Sequence, residues 1–180
     1  DACAAPGGKT VAIAELMGGG TSLTAMDIHA DRMGFLNDNL ARMSLDGVRI
    51  IEGDMTECRA GGVGIPELAG LLFDGILLDV PCTNTGVLRR RADARWRFSL
   101  ERLAKVSETQ RLILDGAAQR VQIGGRLVYS TCSLEPEEDE ALIAAWLKDN
   151  LNFECVRQRK LFPPKDGVDG AFAALLKRKT

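Results

Sequence analysis

The run FDGILLD, Phe73–Asp79, is apolar at consecutive positions instead of alternating ones, the pattern of a strand covered on both faces. Such a strand needs helices above and below it, so the chain is committed to a layered α/β arrangement with a mostly parallel sheet. Two other strand-like runs share its ending: residues 21–27 close on Asp27 and residues 48–54 close on Asp54, as this one closes on Asp79. Helical stretches at residues 9–17 and 30–43 alternate with them, and Gly18, Gly19 and Gly20 break the first. After a Gly/Pro-bearing connection at 61–70, a helical pattern over 99–122 stops at Gly124 and Gly125, and RLVYST (126–131) reads as a strand with Cys132 just past its end. Pro136, Glu137 and Glu138 open a helix running to about Asn150. The last strands are expected at 153–157 and 171–176, around a loop holding Pro163 and Pro164. Local pattern leaves the strand order open.

Composition narrows what such a sheet can do. With 46% hydrophobic residues in 180, one domain with its own core is expected. Lys+Arg (23) and Asp+Glu (25) nearly cancel, so there is no global nucleic-acid signature and any such contact is local. Cys3, Cys58, Cys82, Cys132 and Cys155 are odd in number and form no CxxC pair, which fits a reducing, cytoplasmic setting and no metal. His29 is the only histidine, removing the usual parts of Ser-His-Asp chemistry. No apolar stretch approaches the roughly 20 residues that span a bilayer, and a monomer is expected. Asp1 leads straight into a glycine-rich motif without the hydrophobic run that should precede it. The expectation is a fragment whose first strand is truncated and whose N-terminal part is missing.

In an open α/β sheet, ligands sit at the carboxyl ends of the strands. That edge collects the loop CAAPGGKT, the three aspartates and Cys132. The small residues and glycines of the loop let backbone approach a ligand near a positive helix end. Asp27, about 20 residues after Gly8, stands where a carboxylate accepts hydrogen bonds from ribose hydroxyls, so a nucleoside-containing cofactor is implied. A phosphate-binding GxxxxGK[ST] loop would need glycine where Cys3 stands, and GxGxxG is absent. An ordinary strand-to-helix turn would account for a glycine pair alone, but not for three acid-ended strands. DVPCTNTG and STCSLEPEEDE each place a cysteine in a turn, whereas Cys58 and Cys155 are read as plain small hydrophobes.

Through DACAAPGGKT, LLDVPCTNTGVLRR and YSTCSLEPEEDE, in this order, the chain resembles the RsmB/Nop/Sun family of RNA cytosine-5 methyltransferases over essentially its whole length. The resemblance implies a Rossmann-like class I methyltransferase: a seven-stranded, mostly parallel sheet with one antiparallel strand. It implies S-adenosylmethionine as cofactor, with Cys3, Ala4, Ala5, Pro6, Gly7, Gly8 and Lys9 around the methionine part. Asp27 would hold the ribose, Asp54 would lie by the adenine, Asp79 would line the site, and Arg32 would add a basic contact. Cys132 is then the nucleophile that adds to carbon 6 of cytosine, Cys82 the helper for release, and Asp79 a hydrogen-bond partner of the base. Two departures stand out: Ala171 replaces the first aromatic residue of a DGFF-like segment, and Asp139 stands where asparagine is usual, with little effect expected although one more carboxylate near Cys132 would disfavour its thiolate.

A base inside a helix must be unstacked to reach this edge, so single-stranded or opened RNA is the expected substrate. Arg89, Arg90, Arg91, Arg95 and Arg97, with Trp96, form a local phosphate and stacking patch, although a charge run is often only a solvated face. Ribosomal RNA is the first expectation and transfer RNA the second. DNA cytosine-5 methyltransferases share the chemistry but use the cysteine of a proline-cysteine dipeptide with an ENV motif, and ENV is missing here. A non-catalytic cofactor- and RNA-binding domain is the remaining alternative, and the pair Cys82 and Cys132 argues against it.

Overall fold

A computed structural model describes residues 1–179. Along the chain run α1 (Gly8–Leu16), β1 (Thr24–Asp27), α2 (Ala30–Arg42), β2 (Arg49–Glu52), β3 (Phe73–Asp79), α3 (Ala94–Arg97), α4 (Leu100–Ala118), β4 (Val121–Thr131), α5 (Glu140–Asp149), β5 (Phe153–Leu161), α6 (Pro163–Asp166) and β6 (Ala171–Arg178). β1 pairs with β2 in parallel, and a second sheet has the order β3-β4-β6-β5. β3 and β4 are parallel, while β6 runs antiparallel to both β4 and β5. This is the expected α/β class with its single reversed strand.

Residues 1–4 join the two sheets. Ala4 N–H donates to Met26 O at 2.9 Å and Met26 N–H to Asp1 O at 2.8 Å, while Ala2 N–H donates to Leu77 O at 3.0 Å. Backbone on this short segment thus pairs with β1 on one side and β3 on the other. Six strands are formed among the described residues, and residues 1–4 lie where a seventh would run between them.

Two apolar clusters hold the layers. Leu78, Leu114, Leu127, Tyr129, Trp146 and Leu176, all fully buried, tie β3, β4 and β6 to α4 and α5. Trp146 also donates its indole N–H to Asp115 at 2.7 Å, satisfying the one polar atom its burial would strand. Ala14, Ala25, Leu36, Leu40 and Val48 join α1 and α2 to β1 and β2. β3 is covered less evenly than its sequence implies: Ile76 and Leu78 are buried, but Leu77 is only half-buried, because it borders an apolar slot of about 400 Å³ beside residues 1–4.

Several element ends differ from the sequence reading. α4 stops at Ala118 and β4 already begins at Val121, so Gly124 and Gly125 lie inside a strand, at a register shift against β3. β2 ends at Glu52, and Asp54 caps a 3-10 turn (Met55–Cys58) by accepting Thr56 N–H at 2.9 Å. Pro136 opens a tight turn, with Asp139 N–H on Pro136 O at 3.1 Å, and α5 starts only at Glu140. The turn carries Glu138 and Asp139 inward, both fully buried. No helix among the described residues is long and apolar enough to cross a membrane.

Candidate active site

At the carboxyl ends of β1, β3 and β4 opens a cleft of about 960 Å³, large enough for a nucleoside cofactor and a base together. Cys3, Ala5, Pro6, Lys9, Asp27, Arg32, Asp54, Asp79, Cys82 and Cys132 all line it. Ala4, Gly7 and Gly8 shape the loop from behind instead: Ala4 is buried in the second core cluster, and Gly8 begins α1. Gly7 has φ +106°, and a Cβ there would meet Leu36 Cδ1 at 2.8 Å. The left-handed backbone favours glycine at this position.

Asp27 is buried at the end of β1, where Ala5 N–H donates to Oδ2 and His29 N–H to Oδ1, each at 2.9 Å. These bonds fix the loop to the strand end and leave each carboxylate oxygen a lone pair for the cleft. Asp79 bridges the two halves of the site: Lys9 Nζ contacts its Oδ2 at 2.5 Å and Ser130 Oγ donates to Oδ1 at 2.9 Å. Burial, with the Asp27 and Asp79 charges, pushes the Cys3 thiol up to about 12, which disfavours its thiolate.

Cys82, in the turn after β3, and Cys132, at the end of β4, place their sulfurs 3.0 Å apart. The two thiols shift in opposite directions. A hydrogen bond from Cys82 holds Cys132 below the usual thiol range, despite burial and the nearby Asp79 charge. The same bond, with burial, raises Cys82. The contact thus favours the deprotonated form at Cys132 over Cys82. Asp139, expected from sequence to have little effect on Cys132, faces Thr131 Oγ1 at 2.6 Å and Lys160 Nζ at 3.0 Å, and Asp79 is the carboxylate that acts on Cys132.

The basic patch divides. Arg90 and Arg91 line the cleft, while Arg89 and Arg90 both grip Asp169, at 2.6 and 2.5 Å. Arg97 is paired with Asp93. Arg95 and Trp96 sit on α3 outside the cleft lining, with Trp96 84% exposed. Sequence reasoning missed Arg102 on α4 and Arg159 on β5, which also line the cleft, because only the tertiary fold brings them to it. It also missed Asn84, whose side-chain N–H donates to Cys82 O at 2.8 Å and whose Oδ1 accepts from the Cys132 S–H at 3.1 Å.

This sheet, with a glycine loop, an acid at successive strand ends and a cleft across them, defines a Rossmann-like methyltransferase domain. Residues 1–177 match the family model described as 16S rRNA methyltransferase RsmB/F, and the chain belongs to that family. It is 38% identical over 181 residues to ribosomal RNA small subunit methyltransferase B of Proteus mirabilis, spanning 99% of this chain and 40% of that protein. Among solved structures it resembles NSun6 from Pyrococcus horikoshii with SFG, at TM-score 0.87 and 28% identity, covering 100% of this chain and 47% of that one. A methyltransferase homolog protein from Pyrococcus horikoshii aligns with TM-score 0.79 and 30% identity over 97% of this chain and 59% of that one. The chain thus spans about two fifths of the Proteus relative's length.

Proposed function

We propose that this domain methylates carbon 5 of a cytidine in small-subunit ribosomal RNA, with S-adenosylmethionine as donor and a covalent cysteine-cytosine intermediate. The observation that carries the reading is the thiol pair of Cys82 and Cys132, 3.0 Å apart beside Asp79. The relatives named as small-subunit rRNA methyltransferases support the choice of RNA.

The donor fits the cleft: Asp27, Asp54 and Asp79 line it, a carboxylate set suited to a nucleoside that carries a cationic sulfonium. Asp27 would hold the ribose, Asp54 the adenine end, and residues 3–9 with Arg32 the rest. Bound there, S-adenosylmethionine supplies an electrophilic methyl group. Carbon 5 of cytosine is a poor nucleophile, so the Cys132 thiolate first adds to carbon 6 and makes the ring electron-rich. Asp79, held by Lys9 and Ser130, would accept a hydrogen bond from the cytosine amino group and so orient the ring for the addition. Once carbon 5 has lost its proton to water in the open cleft, the carbon 6 to sulfur bond breaks and Cys132 leaves as thiolate. The Cys82 S–H, 3.0 Å away, stabilises that departing sulfur. Arg90, Arg91, Arg102 and Arg159 offer the cleft rim to phosphates.

With tritiated donor and unmodified 16S rRNA, Cys132→Ala is expected to cut transfer at least about 1000-fold and to abolish the adduct. Cys82→Ala is expected to leave RNA trapped on Cys132, visible as a slower band on a denaturing gel. Trapping by Cys132→Ala instead would assign the nucleophile to Cys82 and overturn the reading.

A further inference from the structure

Behind the two cysteine turns lies a carboxylate that none of the chemistry above uses. Glu138 is fully buried. Its Oε1 accepts Thr83 N–H and Gln110 Nε2–H, each at 2.9 Å. Its Oε2 accepts Ser133 Oγ–H at 2.5 Å and the Thr83 hydroxyl. Gln110, buried on α4, also donates to Pro81 O at 2.9 Å. Among the described residues no Lys or Arg forms an ion pair with Glu138.

The donors identify what is being held. Thr83 directly follows Cys82, and Ser133 directly follows Cys132. Four hydrogen bonds from three segments converge on one side chain, and two of those segments carry the thiols. A buried carboxylate is an expensive way to stabilise a turn, since an apolar side chain would cost less. Its advantage is geometric: a fully satisfied buried network admits one arrangement. Gly86 reinforces it, with its N–H on Cys132 O at 3.0 Å and no room for a Cβ, which would meet Cys132 O at 2.8 Å.

We propose that Glu138 is a positioning residue for methyl transfer: by gripping Thr83 and Ser133 it sets the spacing of the Cys82 and Cys132 sulfurs. The inference rests on the proposed function, and it makes the sulfur-sulfur hydrogen bond depend on a side chain that touches neither thiol. Facing Cys132 are Cys82 and Asn84 from the turn after β3, Asp79 from β3 itself, and Arg91. Of these, the Cys82 contact is the one that Glu138 controls from both sides.

Glu138→Gln keeps the shape but sets amide N–H groups against donors. It is expected to keep wild-type affinity for S-adenosylmethionine by calorimetry while kcat falls about tenfold or more. The pH midpoint of Cys132 alkylation by iodoacetamide, followed by mass spectrometry, is expected to move upward. Ser133→Ala removes one donor and keeps the carboxylate, so it serves if Glu138→Gln does not fold, and a smaller shift in the same direction is expected. The double variant should lose no more than Glu138→Gln alone. Wild-type kcat and an unmoved alkylation midpoint in either folded variant, or losses that multiply, would overturn the proposal. Alkylation needs no RNA, so an inactive wild-type protein would sink the methyltransferase reading while leaving the positioning role to be judged on thiol reactivity.

Discussion

Glu138 and Asp139 are adjacent and both fully buried, yet only Asp139 has a cation beside it. Its carboxylate accepts from Thr131 at 2.6 Å and meets Lys160 at 3.0 Å, but burial still dominates and lifts it from 3.8 to about 6. A raised carboxylate means that the folded chain keeps a proton the unfolded chain releases, so stability falls as pH rises from about 4 to 6 and is level above. The cost at neutral pH is on the order of 2 kcal/mol, allowing for partial screening. Asp139→Asn is therefore expected to melt roughly 4 °C higher than wild type at pH 8 and to coincide with it at pH 4. Lys160 keeps its contact with Glu140 at 2.9 Å, so the substitution strands no cation. A lower melting temperature at pH 8 would show that the Lys160 pair outweighs the burial. The sequence reading saw this aspartate as a departure of little effect from the family pattern but did not find its cation, because nothing local shows that β5 delivers Lys160 to it.

At the scale of elements, β4 shows what local pattern resolves and what it does not. The edge that lines the cleft was largely legible: residues 73–79 were read as β3, and Asp27, Asp79 and Cys132 were placed at strand ends, since strand hydrophobicity and strand-end acids are local signals, whereas Asp54 lies past the end of β2. Gly124 and Gly125 were read as a helix stop because a glycine pair usually is one. Pairing with β3 is non-local, however, and it draws Val121 into the strand opposite Phe73 and turns the glycines into a register shift. Gly124 sits there at φ +80° with nothing within 4 Å of a built Cβ, so a side chain would meet only backbone strain. Gly124→Ala is expected to cost about 1 to 2 kcal/mol and lower the melting temperature by a few degrees. Methyl transfer at 25 °C should be unchanged, since Cys132 lies beyond the opposite end of β4. A loss of activity without a loss of stability would show that the shift transmits strain along the strand.

For the whole molecule, residues 1–4 carry backbone hydrogen bonds to both sheets, and beside them lies the apolar slot of about 400 Å³ walled by Ile13, Leu23, Met26, Phe73, Leu77 and Val128. No pattern within residues 1–180 could reveal this slot, since its walls come from α1, β1, β3 and β4 and meet only in the folded chain. Asp1 O and Ala2 N–H already hydrogen-bond to strands on opposite sides, so backbone continuing upstream of Asp1 would run between β1 and β3 with partners for both its edges. Each apolar side chain it buried there would contribute about 1.5 to 3 kcal/mol. We propose that an upstream apolar segment completes the sheet as its central strand. A chain extended with its native upstream residues is then expected to melt roughly 10 °C higher than residues 1–180 alone, which corresponds to two or three such side chains. It should also bind less of a dye that reports exposed apolar surface. An extension of equal length made of Gly and Ser controls for added chain. Equal melting of the two extended chains would leave the upstream residues no part in the sheet.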